Sequence, residues 1–123
     1  MQVIIAPRAR RDIANILART QQTLGPQKKK RYGALILAAI DAIAANPRLA
    51  GSTLRPEIAP RCRTYHVVRI GEKAREGGNA INQPRHFLLY RVTDANVLEI
   101  GRVLHDSMEL EQHLPIEYRR TLE

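Results

Sequence analysis

The chain has 123 residues, 20 Lys and Arg against 12 Asp and Glu, and one cysteine. That length predicts a single domain, 1–123, able to bury about 65% of the surface its unfolded form would expose. The lone Cys62 excludes an internal disulfide and a cysteine-based zinc site, and reads as a small buried hydrophobe. Aromatic residues make up only 4% of the chain, so Ile, Leu, Val and Ala must build the core.

Charge is uneven. Residues 1–50 hold nine Lys and Arg against Asp12 and Asp41, whereas residues 51–123 are nearly balanced. Such an excess suits an acidic partner, either nucleic acid or an acidic protein segment, although solubility alone would also explain it. Met1 is followed by a short apolar run, Val3 to Ala6, with no basic segment before it. The longest uncharged stretch, Tyr32 to Ile40, is too short to span a bilayer. The expectation is a cytoplasmic protein without a membrane partner.

In chain order, Val3 to Ile5 is a β-branched run that predicts a first strand, ended by Pro7. Ala9, Ile13, Ile16, Leu17, Thr20 and Leu24 then recur on one helical face, with Arg8, Arg11, Asn15 and Arg19 away from it. Gly25 is the expected stop and Pro26 the opening of a second helix. That helix should run from about Gln27 to Ala45, with Tyr32, Leu35, Ile36, Ala39, Ile40 and Ile43 as its buried stripe. Asn46-Pro47 ends it, because the residue before proline resists the helical region. The short link makes the two helices an antiparallel hairpin.

Ala50 to Pro60 reads as a loop. Three strand-like runs follow, Cys62–Ile70, His86–Val92 and Val97–His105, the last two joined by the turn-sized Thr93-Asp94-Ala95-Asn96. Gly71 to Pro84 is polar, contains Gly77-Gly78-Asn79, and reads as an extended mobile loop. Ser107 to Glu123 is a tail of mixed helical character, capped at Asp106 or Ser107 and interrupted by Pro115. The predicted class is α+β, β-α-α-β-β-β, with the helical hairpin packed on one face of a small antiparallel sheet and a short C-terminal helical tail.

No phosphate loop, paired-cysteine motif or nucleophile elbow is present. His66, His86, His105 and His113 lack ligand spacing, so neither a metal nor a cofactor is expected. What remains is arginine on or beside strands: Arg61, Arg63, Arg69, Arg85, Arg91 and Arg102, with His105 closing the last strand. Strict alternation would put Leu98, Ile100, Arg102 and Leu104 on one face and Val97, Glu99, Val103 and His105 on the other. Arginines with a histidine can grip an RNA phosphate and perform acid–base work at a ribose hydroxyl. They can equally be surface charges, or pair with Glu99 and Asp94. The run Lys28-Lys29-Lys30-Arg31 opens the second helix, where it can contact phosphates or simply be solvated.

One stretch resembles a known family. Pro84-Arg85-His86-Phe87-Leu88-Leu89-Tyr90-Arg91-Val92, a turn, and Leu98 through Arg102-Val103-Leu104-His105-Asp106 to Leu110 are similar to the ParE side of the RelE/ParE toxin superfamily. Ala6-Pro7-Arg8-Ala9, Asp12-Ile13, Asn46-Pro47-Arg48 and His113-Leu114-Pro115 fit as well. The resemblance implies the same β-α-α-β-β-β domain and a cognate antitoxin whose acidic or amphipathic segment wraps the toxin. It also implies inhibition of DNA gyrase, without hydrolytic chemistry.

RelE-like members instead cut mRNA on the ribosome through basic residues with a Tyr or His. Here Cys62 to His105 holds one lysine, Lys73, so a nuclease would have to use Arg63, Arg91 and His105. The reading is a gyrase-directed, non-enzymatic toxin. The alternatives are a ribosome-dependent endoribonuclease, or a co-repressor module that reaches operator DNA only through its antitoxin. Partner-binding candidates are Arg8, Arg11, Arg19, Lys28, Lys29, Lys30, Arg31 and Arg102.

Overall fold

The computed structural model describes residues 1–70 and 84–107. The expected loop at Gly71 to Pro84, all but Pro84 itself, and the expected helical tail from Met108 lie outside the described residues.

Strand β1 (Gln2–Ile5) leads through Ala6 into helix α1 (Pro7–Leu24), and helix α2 (Pro26–Ala45) follows directly. Pro7 and Pro26 each open a helix, where the missing N–H costs nothing. Gly25 sits between the helices at φ 92°, a conformation open to glycine because it lacks a Cβ, and its N–H donates to Gln21 O at 3.0 Å. α2 buries the six residues of its predicted stripe. On α1, Ala9 and Thr20 are buried and Ile13, Ile16 and Leu17 partly so, whereas Leu24 is 61% exposed. Thr20 is tolerated inside because its hydroxyl donates to Ile16 O at 2.7 Å.

The strands form one five-stranded sheet in the order β1-β5-β4-β3-β2, from β2 (Thr53–Leu54), β3 (Arg63–His66), β4 (His86–Val92) and β5 (Val97–His105). The α+β class and the expected order hold, with three differences. First, β1 pairs parallel to β5, so the sheet is mixed. Second, the segment read as a loop contributes the two-residue edge strand β2, and Ile58 and Ala59 beyond it pack with Cys62 and Leu89 in a small second core. Third, the strand expected over 62–70 stops at His66. The His66 Nδ1 accepts the Val68 N–H at 3.0 Å and turns the chain.

The main core lies between the helices and one face of the sheet, where Tyr65, Leu88, Tyr90, Leu98, Ile100 and Val103 meet the α2 stripe. Val103 joins Ile100 there because of a bulge. Leu89 opposes Arg102 while Tyr90 opposes Ile100, which leaves Gly101 as an extra residue on β5. Strict alternation fails at that point, and Val103 and Leu104 exchange the faces expected for them. Cys62 is fully buried, and burial pushes its thiol up to about 12.

Candidate functional site

At the His86–His105 end of the sheet, four elements converge. His86 opposes His105 across β4 and β5, and their rings meet edge to face at 5.4 Å. Tyr32 of α2 reaches the same spot. Burial pushes its hydroxyl up to about 12, so it keeps its proton and donates to His86 Nδ1 at 2.6 Å. Burial, and then the neighbouring His105, push His86 down to about 4, so its imidazole is neutral at pH 7. The Ser107 N–H donates to His105 Nδ1 at 3.1 Å, with the Ser107 hydroxyl 2.7 Å from the same nitrogen. Asp106 accepts from Arg85 Nε at 3.0 Å and lies 3.1 Å from His66 Nε2. The Arg85 hydrogen bond chiefly, aided by His66, holds the Asp106 carboxyl down to about 2.

Arg102 shows what the sequence could not. It is 8% exposed and turned onto Asp12 of α1, Nε to Oδ2 at 2.7 Å and Nη2 to Oδ1 at 2.9 Å. Among the described residues the edge of β5 beyond Ile100 has no partner strand, and Asp12 also accepts the Val103 N–H at 3.0 Å. Arg102, one of the binding candidates, is thus engaged by Asp12 and lines the open cleft beside α1. Its role is to fix α1 to the sheet.

The three nuclease candidates are not brought together. Arg63 opposes Tyr90 and shares its helix-side position, with Nη2 donating to Ser52 Oγ at 2.9 Å. Arg91, the next residue along β4, lies on the opposite face, with Nε donating to Glu99 at 3.3 Å. His105 opposes His86, four residues along β4 from Tyr90, or about 13 Å at the usual strand rise. The pairings of Arg91 with Glu99 and of Arg61 with Asp94 follow the alternative in which these arginines pair with those two carboxylates.

The remaining candidates lie on the helices. Arg8, Arg11, Arg19, Lys30 and Arg31 are exposed, and Lys28 and Lys29 half-buried. An open cleft of about 650 Å³ between α1 and the end of β5 is lined by Arg19, Asn15, Thr23, His86, His105 and Ser107. Arg19 and His105 therefore share one groove. The Tyr32–His86 bond and the Asp106 ties to Arg85 and His66 were not foreseen. Only the adjacency of Arg85-His86 and His105-Asp106 on paired strands could have signalled them. Among the described residues no group of three or more His, Cys, Asp and Glu is placed to hold a metal, and no helix is long and apolar enough to cross a membrane.

A helical hairpin on one face of a mixed sheet, basic along its exposed helices, defines a small α+β fold, and comparison with known proteins places it. The family model for the ParE toxin of the type II toxin–antitoxin system parDE matches residues 3–110, and the chain belongs to that family. The family implies a cognate antitoxin as partner. Toxin ParE1 of Mycobacterium tuberculosis, in strains CDC 1551 / Oshkosh and ATCC 25618 / H37Rv, is 26% identical over 111 residues. The match covers 90% of this chain and 95% of the relative. A chain of the chromosomal ParDE TA system from P. aeruginosa shares the fold, with a TM-score of 0.61 at 18% identity over 85% of this chain and 95% of that one.

Proposed function

We propose that this toxin acts in the cytoplasm by binding DNA gyrase, without hydrolytic chemistry of its own, and that its antitoxin neutralises it by wrapping the basic helical hairpin. The observation that carries the reading is the dispersal of Arg63, Arg91 and His105 over two faces and two ends of the sheet. General acid–base catalysis needs its groups within hydrogen-bond reach of one reacting centre. A surface toxin needs only complementary contacts. The exposed Arg8, Arg11, Arg19, Lys30 and Arg31 suit an acidic segment that folds on binding. Operator DNA is reached only through the antitoxin.

The test is induction of the chain in a host lacking the antitoxin gene, with plasmid supercoiling and mRNA integrity followed together. Loss of negative supercoiling with intact mRNA is expected. Early mRNA cleavage with normal supercoiling would replace this reading with the ribosome-dependent nuclease.

A further inference from the structure

We propose that the face of the sheet turned away from the helices carries a phosphate-binding pocket, built by Arg55, Arg69, Thr53 and Thr64, that takes a backbone phosphate of nucleic acid. This lies outside the gyrase reading and uses none of the residues that it invokes.

The pocket follows from register. Thr53 opposes Thr64, and His66 opposes Phe87, so these side chains share one face, opposite the face on which Tyr65 and Leu88 meet the main core. Arg55 lies two residues past Thr53 and returns to the same face. The result is an open depression of about 250 Å³ with Phe87 as part of its lining and Arg55, Arg69, Thr53, Thr64 and His66 around it. His66 is committed on both nitrogens, to Asp106 and to the Val68 N–H, so it forms a wall.

Arg55 is held by a hydrogen bond, and the stem of Arg69 lies against Gly51. Gly51 sits at φ +96°, and a Cβ built there would stand 3.3 Å from Arg69 Cγ and Cδ. The bare backbone is thus the seat over which the Arg69 stem is laid. Arg55 is held through Nε by Glu57, a single hydrogen bond to one carboxylate oxygen. Among the described residues Arg69 has no acidic partner, and the hydroxyls of Thr53 and Thr64 make no hydrogen bond. Two cations and two hydroxyls, from the β2 and β3 segments of the chain, line one depression. That suits a tetrahedral, multiply accepting phosphate better than a planar carboxylate, which a single arginine fork satisfies. Inorganic phosphate shares this chemistry and is the other source that must be told apart.

The experiment uses the full-length chain with two probes, inorganic phosphate and short single-stranded DNA or RNA oligonucleotides, each titrated at several salt concentrations. The variants are Arg69→Ala, Arg55→Gln and, as an equal charge change elsewhere, Arg10→Ala on the exposed side of α1. Loss of one charge-assisted contact should weaken oligonucleotide binding about tenfold in the first two variants. The salt slope should fall by about one in those variants, and Arg69→Lys should restore part of the affinity. Arg10→Ala should leave binding within twofold. Phosphate binding lost in Arg69→Ala with oligonucleotide binding unchanged would keep the pocket but make its ligand a free phosphate, overturning the nucleic-acid assignment. Equal losses in Arg10→Ala and Arg69→Ala, or no binding of either probe, would overturn the pocket itself. Arg69 is exposed, so its removal should leave the thermal midpoint unchanged.

Discussion

Arg102 and Asp12, ninety residues apart in sequence, form a paired, two-point ion bridge with side chains 10% and 15% exposed. The same carboxylate accepts the Val103 N–H of β5. Removing one member of such a pair leaves the other charge buried beside an orphaned amide. Asp12→Ala should therefore cost about 3–5 kcal/mol, a large part of the roughly 5–15 kcal/mol that small domains have in total. Replacing both members with apolar residues, Asp12→Leu with Arg102→Met, should cost clearly less than Asp12→Ala alone. Urea unfolding of the variants measures both. A loss under about 1 kcal/mol for Asp12→Ala would mean that the bridge behaves as a solvated surface pair.

The acid limb of stability should be set first by His86. Its folded pKa, about 4, lies below the ordinary value of 6.5. Between those values the unfolded chain binds a proton that the folded chain does not, so stability falls as pH drops from 6.5 to 4. Asp106 takes over below that. Its carboxyl is depressed to about 2, so the stability it gives above pH 4 is lost as pH falls through 2. His86→Gln, which keeps a polar group near Tyr32, should flatten the pH 4–6.5 portion and leave the lower portion intact. Unfolding free energies at half-unit pH steps decide this. An unchanged slope in His86→Gln would assign that window to another group.

His105→Ala should leave toxicity in place. Its Nδ1 is occupied by Ser107, and its ring packs on His86. The substitution removes one local tie, worth about 1 kcal/mol. A nuclease losing its acid or base would drop about 100- to 10,000-fold in rate. Growth arrest on induction, checked alongside a folded circular-dichroism spectrum, gives the answer. A folded but harmless His105→Ala protein would favour the nuclease.

The helical half was legible because it is governed by local signals. The α2 stripe repeats at helical spacing, and Gly25-Pro26 and Asn46-Pro47 punctuate it chemically. The sheet was legible in its strands but not in its faces. One extra residue, Gly101, inverts the alternation on β5, and nothing local in Ile100-Gly101-Arg102 announces which partner residue it faces. The end of β3 depends on a side chain, His66, taking a backbone N–H. The candidate site was least legible, because Tyr32–His86 and Asp12–Arg102 join residues 54 and 90 positions apart. Such contacts belong to the packing of α1 and α2 on the sheet, and charge or periodicity carries no trace of them.

Arg61 should be a place where stability can be gained. Ala59, Pro60, Arg61 and Cys62 form a turn closed by the Cys62 N–H donating to Ala59 O at 3.2 Å, with Arg61 at φ 63°. Proline second and a positive φ third is the pattern of a type II turn, whose third position favours glycine. A side chain in that conformation costs about 1–2 kcal/mol. Glycine removes the strain but adds about 0.4–1 kcal/mol of unfolded-state entropy. The ion pair of Arg61 with Asp94 is lost as well, though both partners are largely exposed and the pair contributes little. Arg61→Gly should thus be slightly more stable than the natural chain. Arg61→Ala, which keeps the strain and loses the ion pair, should be slightly less stable. The order Gly above Arg above Ala in urea midpoint is the expected outcome. Equal midpoints for Gly and Ala would show that backbone strain at this turn has no weight, and that the ion pair with Asp94 accounts for whatever change remains.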